Sequence, residues 1–434
     1  MRIRIYNAKV LSMKNGSGIM EGEVHTDGNK IAFVGEKAKA VERAAGVTFD
    51  REIDACGNII MPGFKNAHTH SAMTFLRSYA DDLPLHDWLN NKVFPMEAKL
   101  TKEDVYWCSR LAILEYLTSG ITANFDMYMM PDAGARASAD SGFRTVLCGC
   151  INDFTSSIKE CEVYYNTFND YNELISYKYG FHAEYTTGVE RLEALSELAD
   201  RYNAPVYAHI AETRTEVEGC IKRHGKTPIA FLDSIGMFKN GGGGFHCVYM
   251  TDDDIKICKE RGIWAITNPA SNLKLASGIA PLCTMKEKGI NIAIGTDGPA
   301  SNNSLDMFRE MFLATALQKV SMYDAAALDA SDILYMATVG GALSMGLKDS
   351  DVLEEGKLAD IIMIDLKQPN MQPLNNIVKN IVYSGSKQNI KMTMVNGKIL
   401  YEDGKFDVGE EKEEIFAKAN ESIARIAGVA SIRC

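Results

Sequence analysis

The most informative stretch of the chain is residues 59–70, which read IIMPGFKNAHTH. Its apolar residues predict a buried strand, and His68 and His70 stand near the end of that strand. Side chains two positions apart on a strand point to the same face, so both imidazoles are expected to reach one metal ion. Two loop histidines would show the same spacing, and the prediction of a metal site therefore depends on residues further along the chain.

The sequence pattern at both ends of the chain is typical of β-strands. Near the start, Asp27-Gly28 lies between two alternating segments, which predicts a hairpin. Near the end, Asn396-Gly397 gives the same signal between two apolar segments. We therefore expect one small β-sandwich domain built from residues 1–60 plus 350–410.

Between the two ends, short apolar strands alternate with amphipathic helices. A helix is predicted over Lys102–Ser119 and stops at Gly120, and the strand Thr122–Asp126 follows it. About eight such strands can be counted, which favours an α/β fold with a (β/α)8 barrel. We expect this TIM-like barrel over residues 61–349 and a C-terminal helix, within residues 411–434, packed on the body.

Composition argues against several classes of function. Lys plus Arg is 46 and Asp plus Glu is 57, so the net charge is 46 − 57 = −11, a sign that disfavours binding to nucleic acid. The chain contains no run of about 18 apolar residues, so no membrane span is predicted. The alternating N-terminus lacks the apolar core of a signal peptide, and the ten cysteines form no CxxC pair. We therefore expect a cytoplasmic protein with reduced thiols.

Polar residues stand at the ends of the predicted barrel strands. They are His68, His70, His182, His209, His246 and Asp297. Any one of these histidines can be a hydrogen-bonded core residue. Because five of the eight histidines occupy such positions, and because barrel enzymes place catalysis at the carboxyl ends of their strands, one shared site is favoured.

These residue types suit a hydrolytic metal site. Three neutral imidazoles and one carboxylate can hold zinc or iron(II) and leave a position for water, whose pKa the ion lowers toward neutrality. Asp297 can bind the ion and accept the proton of that water. Glu212, three residues after His209, can act as general acid and base. His246 can hydrogen-bond the activated water and stabilise charge at the attacked carbon.

The motifs carry a resemblance to a known family. The chain resembles the mononuclear, deaminase-like branch of the amidohydrolase superfamily in His68-Thr69-His70, His209-x-x-Glu212, His246 and Thr296-Asp297-Gly298. It is similar, more specifically, to the 5-methylthioadenosine/S-adenosylhomocysteine deaminases in Leu85–Leu89, Phe94–Glu97, Asn268–Leu275 and Gly298–Ser304. The resemblance implies an aminohydrolase that converts adenine nucleosides to inosine analogues and ammonia. The implied substrates are 5′-methylthioadenosine, 5′-deoxyadenosine, adenosine and, less favoured, S-adenosylhomocysteine.

The resemblance also implies a role for each site residue. One divalent ion per chain, zinc or alternatively iron(II), would be held by His68, His70, His209 and Asp297. Catalysis would depend on Glu212, which protonates the ring nitrogen beside the attacked carbon, and on His246 and Asp297. The substrate would contact Glu97 at the ribose hydroxyls and also His182, Trp88, Glu212 and Asp297. Three of these also fit plain structural roles: Glu97 at a helix start, His182 at a strand end and Trp88 in packing.

One segment departs from that group of deaminases. Its members that take S-adenosylhomocysteine carry arginines after the middle strand, which pair with the amino-acid carboxylate. Here Gly149 stands where the first arginine is expected, residues 152–160 contain none, and Arg144 lies too early in the strand. We therefore expect a preference for uncharged 5′ groups.

Three other functions stay open. An amino- or chlorohydrolase of guanine, pterin, cytosine or a triazine needs the same activated water. A two-metal amidase needs a carboxylated lysine in the barrel, and the only lysine near the right strand is Lys178, which lies deep. A non-catalytic scaffold would commonly have lost ligands that this chain keeps. Homo-oligomers are common among such barrels, although no sequence feature requires one.

Overall fold

The protein is described by a computed structural model over residues 1–83 and 85–428. In this part of the chain an eight-stranded parallel sheet curls into a nearly closed barrel, and a second, nine-stranded sheet combines strands from both chain ends. The predicted fold class, an α/β barrel with a separate β unit made from both termini, is confirmed. The domain boundaries given above stay a prediction.

The strands follow one another in three groups. The first group is β1 (Arg2–Val10), β2 (Met20–Asp27), β3 (Lys30–Glu36), β4 (Arg51–Asp54) and β5 (Ile59–Pro62). The barrel strands are β6 (Phe64–Thr69), β7 (Ile121–Met127), β8 (Arg144–Cys148), β9 (Ile175–Ala183), β10 (Val206–Ile210), β11 (Gly242–His246), β12 (Ile263–Thr267) and β13 (Ile292–Ile294). The last group is β14 (Ile361–Ile364), β15 (Ile390–Val395), β16 (Lys398–Glu402) and β17 (Lys405–Phe406).

The helices lie mainly between the barrel strands. Those before β10 are α1 (Lys37–Ala44), α2 (Leu85–Trp88), α3 (Phe94–Glu97), α4 (Lys102–Thr118), α5 (Pro131–Ser141), α6 (Ile158–Phe168) and α7 (Val189–Arg201). Those between β10 and β14 are α8 (Arg214–His224), α9 (Pro228–Ser234), α10 (Asp252–Arg261), α11 (Pro269–Lys274), α12 (Leu282–Glu287), α13 (Met307–Met322), α14 (Ala330–Tyr335) and α15 (Gly341–Ser344). The last two are α16 (Ile377–Tyr383) and α17 (Lys412–Ala427).

Residues 59–70 contribute one strand to each of the two sheets. We predicted one strand there, but the chain breaks at Gly63 into β5, which pairs with β1 and β14, and β6, which begins the barrel. A Cβ at Gly63 would overlap the side chain of Thr122, so the bend needs glycine. His68 lies inside β6, and His70 follows its last residue.

The barrel closes between β13 and β6 without a regular ladder. Instead, the side chain of Asn66 donates to Thr296 Oγ1 (2.8 Å) and accepts from Thr296 N (2.9 Å). The backbone carbonyl of His68 accepts from the amides of Thr296 (3.1 Å) and Asp297 (3.0 Å). A Cβ at Gly295 would lie 2.6 Å from His68 N, so only glycine allows this approach. The seam therefore places His68 beside Asp297.

The C-terminal helix α17 packs against α4. The predicted segment extends to residue 434, and its residues 429–434 lie outside the described part of the chain. None of the described helices is both long and apolar enough to cross a membrane.

Candidate metal-dependent active site

A cavity of about 780 Å³ opens at the carboxyl ends of the barrel strands. Every predicted site residue except His68 lines it: His70, Trp88, Glu97, His182, His209, Glu212, His246 and Asp297. His68 is fully buried beneath the cavity floor, with its ring 4.8 Å from that of His70 and 4.9 Å from that of His209. The fold thus brings together residues that are up to 229 positions apart in sequence, from His68 to Asp297.

Three imidazoles aim the same nitrogen at one point. His209 donates its Nδ1–H to the carbonyl of His182 (2.7 Å), and His70 donates its Nδ1–H to the carbonyl of Met127 (2.5 Å). The Nε2 of each neutral ring therefore carries a lone pair. His209 Nε2 lies 3.1 Å from His68 Nε2 and 3.3 Å from His70 Nε2. Lone pairs that converge at this distance favour a cation between them, and the two carbonyls fix the orientation of the His70 and His209 rings.

Asp297 completes this cluster. Its Oδ1 lies 3.2 Å from His70 Nε2 and 3.6 Å from His68 Nε2. A tetrahedron of ligands at zinc-like distances has edges of about 3.4 Å, so these spacings fit such an ion. Burial lowers the pKa of His68 to about 3 and the pKa of His209 well below its usual range, which keeps both rings neutral, as ligands must be. The residues present therefore fit a divalent metal.

Two serines orient the carboxylate of Asp297. Its Oδ2 accepts hydrogen bonds from Ser271 (2.5 Å) and Ser301 (2.8 Å), and its Oδ1 accepts one from Gly298 N (2.7 Å). The backbone of Asp297 is left-handed, with φ +60°, a conformation that costs free energy unless the surroundings impose it. Sequence reasoning did not assign either serine a role, although both lie in the segments that carried the resemblance.

His246 and Glu212 form the next part of the site. His246 donates its Nδ1–H to Asn272 Oδ1 (2.7 Å), so its Nε2 can accept a hydrogen bond inside the cavity. That Nε2 lies 3.9 Å from Glu212 Oε2. Burial raises the pKa of Glu212, whose Oε1 accepts from Ser277 (3.1 Å). His246 is also close enough to His68 and His209 to offer an alternative third ligand.

The outer cavity holds the predicted substrate contacts. Glu97 is 7% exposed, and its Oε1 accepts a hydrogen bond from the hydroxyl of Tyr128 (2.7 Å). Burial raises the pKa of Glu97 to about 7. His182 Nδ1 lies 2.9 Å from Thr186 Oγ1, and burial lowers the pKa of His182 to about 4. Tyr128 was missed at the level of sequence, because a lone tyrosine after a strand carries no distinctive pattern.

The wall after β8 differs from the sequence expectation. Gly149 does not face the cavity, because a Cβ there would lie 2.8 Å from Gly180 O and 2.9 Å from Gly180 N in the neighbouring strand. The residue that lines the cavity is Cys150, followed by Asn152 and Thr155. Among the described lining residues none is lysine or arginine. Arg144 lies at the far end of β8, where it pairs with Asp360 (2.8 Å).

Named relatives match almost the entire chain. The sequence model of the Amidohydrolase family matches residues 59–400. A 5-methylthioadenosine/S-adenosylhomocysteine deaminase of Thermoanaerobacter pseudethanolicus is 40% identical over 413 residues, which cover 93% of this chain and 94% of that protein. A 5′-deoxyadenosine deaminase of Methanosarcina mazei is 40% identical over 435 residues, which cover 98% of this chain and 99% of that protein.

Solved structures agree with the fold. The crystal structure of an adenosine deaminase from Xanthomonas campestris with bound zinc superposes with a TM-score of 0.93 at 33% identity, over 98% of this chain and 99% of that one. An atrazine chlorohydrolase from Arthrobacter aurescens, also with zinc, superposes with a TM-score of 0.88 at 23% identity, over 97% of this chain and 100% of that one. The second likeness concerns the fold alone.

Proposed function

The chain belongs to the amidohydrolase family, and from this premise we propose that it hydrolyses the 6-amino group of adenine nucleosides to an inosine analogue and ammonia. The observation that carries the proposal is the set of side chains that meet at one cavity. Converging imidazole nitrogens lie at its floor, the buried acid Glu212 lies beside them, and the buried carboxyl of Glu97 lies further out.

Metal dependence is a property of this family, and zinc is bound in the Xanthomonas deaminase structure. We propose that one zinc ion per chain is held by His68, His70, His209 and Asp297. When bound, such an ion lowers the pKa of a water molecule enough to make it a nucleophile near neutral pH. The lone-pair geometry and the neutral rings of His68 and His209 support this ligand set.

The chain's own residues then move the protons. Glu212, whose pKa burial raises, donates a proton to the ring nitrogen beside the attacked carbon. The attacking water loses a proton to Asp297, and this proton passes to the amino group, which leaves as ammonia. The hydroxyl left on the carbon returns a proton to Glu212 as the carbonyl forms. His246 Nε2 accepts a hydrogen bond from the water and fixes its direction of attack.

The outer cavity supports a nucleoside with an uncharged 5′ group. Glu97 would accept hydrogen bonds from the ribose hydroxyls, and Trp88 and His182 would contact the nucleoside. The hydroxyl of Thr155 donates to the carbonyl of Cys150 (3.1 Å) and accepts from Asn152 N (3.1 Å), so it is already hydrogen-bonded within the protein. Because the described lining residues include no lysine or arginine, a carboxylate bound here would lack an ionic partner.

A two-metal amidase is less well supported. The nearest lysine candidate, Lys178, points into the lower barrel, where its Nζ lies 3.4 Å from a Cβ built on Gly346. Burial lowers the pKa of Lys178, and the cluster at the strand ends does not include it.

The deciding experiment is deamination of a panel of nucleosides by the metal-loaded protein, followed by the absorbance change as adenine becomes hypoxanthine. We expect turnover of adenosine, 5′-deoxyadenosine and 5′-methylthioadenosine, with kcat/KM for each well above that for S-adenosylhomocysteine. Guanine, cytosine and a triazine serve as controls. Turnover confined to one of those heterocycles would overturn the proposal, and a preference for S-adenosylhomocysteine would overturn the 5′-group assignment.

We also propose that the protein works in the cytoplasm. The cysteines that the structure describes as thiols are free, and most of them are buried. Such thiols are typical of a reducing compartment. Fractionation of the producing cells, with the protein detected by antibody, tests this location.

A further inference from the structure

We propose that the C-terminal helix α17 is a positioning element for nucleoside binding, because it holds the turn that carries Glu97. This turn, residues 94–100, is called the Glu97 turn below. The inference rests on the proposed function of the cavity, and it adds to that function a part of the chain far from the metal cluster.

One face of the Glu97 turn forms part of the cavity wall. Phe94 and Glu97 both line the cavity, and the hydroxyl of Tyr128 holds the carboxyl of Glu97 from the barrel side. A carboxyl that must meet two ribose hydroxyls needs its backbone fixed, because a displacement of about 1 Å weakens such hydrogen bonds strongly.

The other side of the turn is held by polar contacts with α17. Arg425 donates to the carbonyl of Lys99 (3.2 Å), and Lys99 Nζ donates to the carbonyl of Ile426 (3.1 Å). Arg425 also pairs with Asp104, the buried carboxylate that caps the start of α4. These contacts join the Glu97 turn to α17 at Lys99, two residues after Glu97, and join α17 to α4 at Asp104.

Apolar packing reinforces these polar contacts. Ile426 is only 2% exposed, and it belongs to the same buried cluster as Met96, Leu100 and Trp88. Trp88 also lines the cavity. The cluster therefore connects α17 with Met96 and Leu100 of the Glu97 turn and with Trp88 of the cavity wall, and the free energy of this packing is available to keep the turn in place.

The test compares a double substitution in α17 with a single control substitution in the same helix. Arg425→Ala combined with Ile426→Ala removes the contacts with the Glu97 turn. Lys418→Ala is the matched control, because Lys418 lies on the same helix and pairs only with the exposed Glu421 (3.0 Å) among the contacts described. We expect the double variant to raise KM for adenosine about tenfold, with kcat within about twofold of wild type. The control should leave both unchanged.

Hydrogen exchange provides a readout that does not need turnover. Amides of residues 94–100 should exchange faster in the double variant than in wild type or in the Lys418→Ala control. If the double variant does not fold, Arg425→Gln alone is measured, with the same direction expected. Unchanged exchange, or an unchanged KM with faster exchange, would overturn the inference.

The two proposals fail separately. A wild-type protein that deaminates no adenine nucleoside would sink the proposed function alone. In that case unchanged exchange at residues 94–100 in the double variant would still overturn the inference, and faster exchange would support only its structural part, that α17 holds the Glu97 turn.

Discussion

Glu212 is the residue whose substitution tests the proposed chemistry most directly. Glu212→Gln keeps the volume of the side chain and removes the proton that the ring nitrogen needs. We expect kcat to fall by about 10²–10⁴-fold, while the metal content stays at one ion per chain. Assays of turnover and elemental analysis of the same preparation check this.

The control for that change is Glu218→Gln, which alters an exposed carboxylate on α8, the helix that begins two residues after Glu212. It should leave kcat unchanged. Full activity in Glu212→Gln would remove Glu212 from the mechanism, and loss of the metal would show that it acts on the ion instead.

Glu97 couples substrate binding to stability. Burial raises its pKa from 4.5 to about 7, so the folded protein binds this proton more tightly than the unfolded chain does. The stabilisation is complete below about pH 4.5 and is lost as the pH rises through about 7. Glu97→Gln keeps an acceptor for Tyr128 but cannot ionise.

We therefore expect Glu97→Gln to match wild type in free energy of unfolding at about pH 4 and to exceed it by on the order of 3 kcal/mol at about pH 8. Its KM for adenosine should rise, because a neutral amide accepts weaker hydrogen bonds. Denaturant unfolding at the two pH values measures the first effect. A difference in stability that does not change with pH would contradict the assignment.

The sequence predicted individual residues to different degrees. Each histidine of the metal cluster lies at or near the carboxyl end of a strand, and strand ends in a barrel meet, so their meeting could be predicted from local pattern. Gly149 could not be understood in this way, because its role depends on the approach of Gly180 in the neighbouring strand. For the same reason Cys150 could not be recognised as the residue that lines the cavity.

Two segments of the site are hydrogen-bonded to the same residue of helix α13. Glu310, buried on α13, accepts hydrogen bonds from Ala270 N (2.9 Å) and from Asn302 Nδ2 (2.7 Å). Ala270 is followed by Ser271, and Asn302 is preceded by Ser301, the two serines that hold Asp297. Glu310 therefore fixes the spacing of these serines from outside the cavity.

We expect Glu310→Gln to lower kcat and to cost about 1–3 kcal/mol of stability, because its amide NH2 would face the N–H of Ala270 or of Asn302, each of which now donates to an oxygen of Glu310. Glu287→Gln, on the exposed end of α12, is the control. Steady-state kinetics and thermal unfolding of both variants check the prediction, and a variant that loses stability but keeps full kcat would contradict the link to Asp297.

The split of residues 59–70 shows what an element can hide from its sequence. β5 is apolar, β6 begins with Phe64, and both are buried throughout, so the sequence predicts one strand across residues 59–70. The break at Gly63 is set by Thr122, which is remote in sequence. Periodicity therefore predicts the existence of such elements better than their partners.

On the scale of the whole molecule, the proposed metal lies across the seam of the barrel. His68 and His70 come from its first strand, and Asp297 follows its last strand. Removal of the ion by a chelator should therefore abolish turnover and also lower the thermal unfolding temperature.

Zinc added back should restore both properties at one equivalent per chain. A protein with unchanged unfolding temperature after verified removal of the metal would contradict a site that spans the seam, and a requirement for two equivalents would favour a two-metal enzyme.

The pairing of β5 with β14 has a consequence for synthesis on the ribosome. Ile59–Pro62 leaves the ribosome about 300 residues before its partner Ile361–Ile364. During that interval an apolar strand edge has no neighbour on one side, and such edges recruit other chains. We therefore expect the nascent protein to be prone to association with other chains until β14 has emerged and paired with β5.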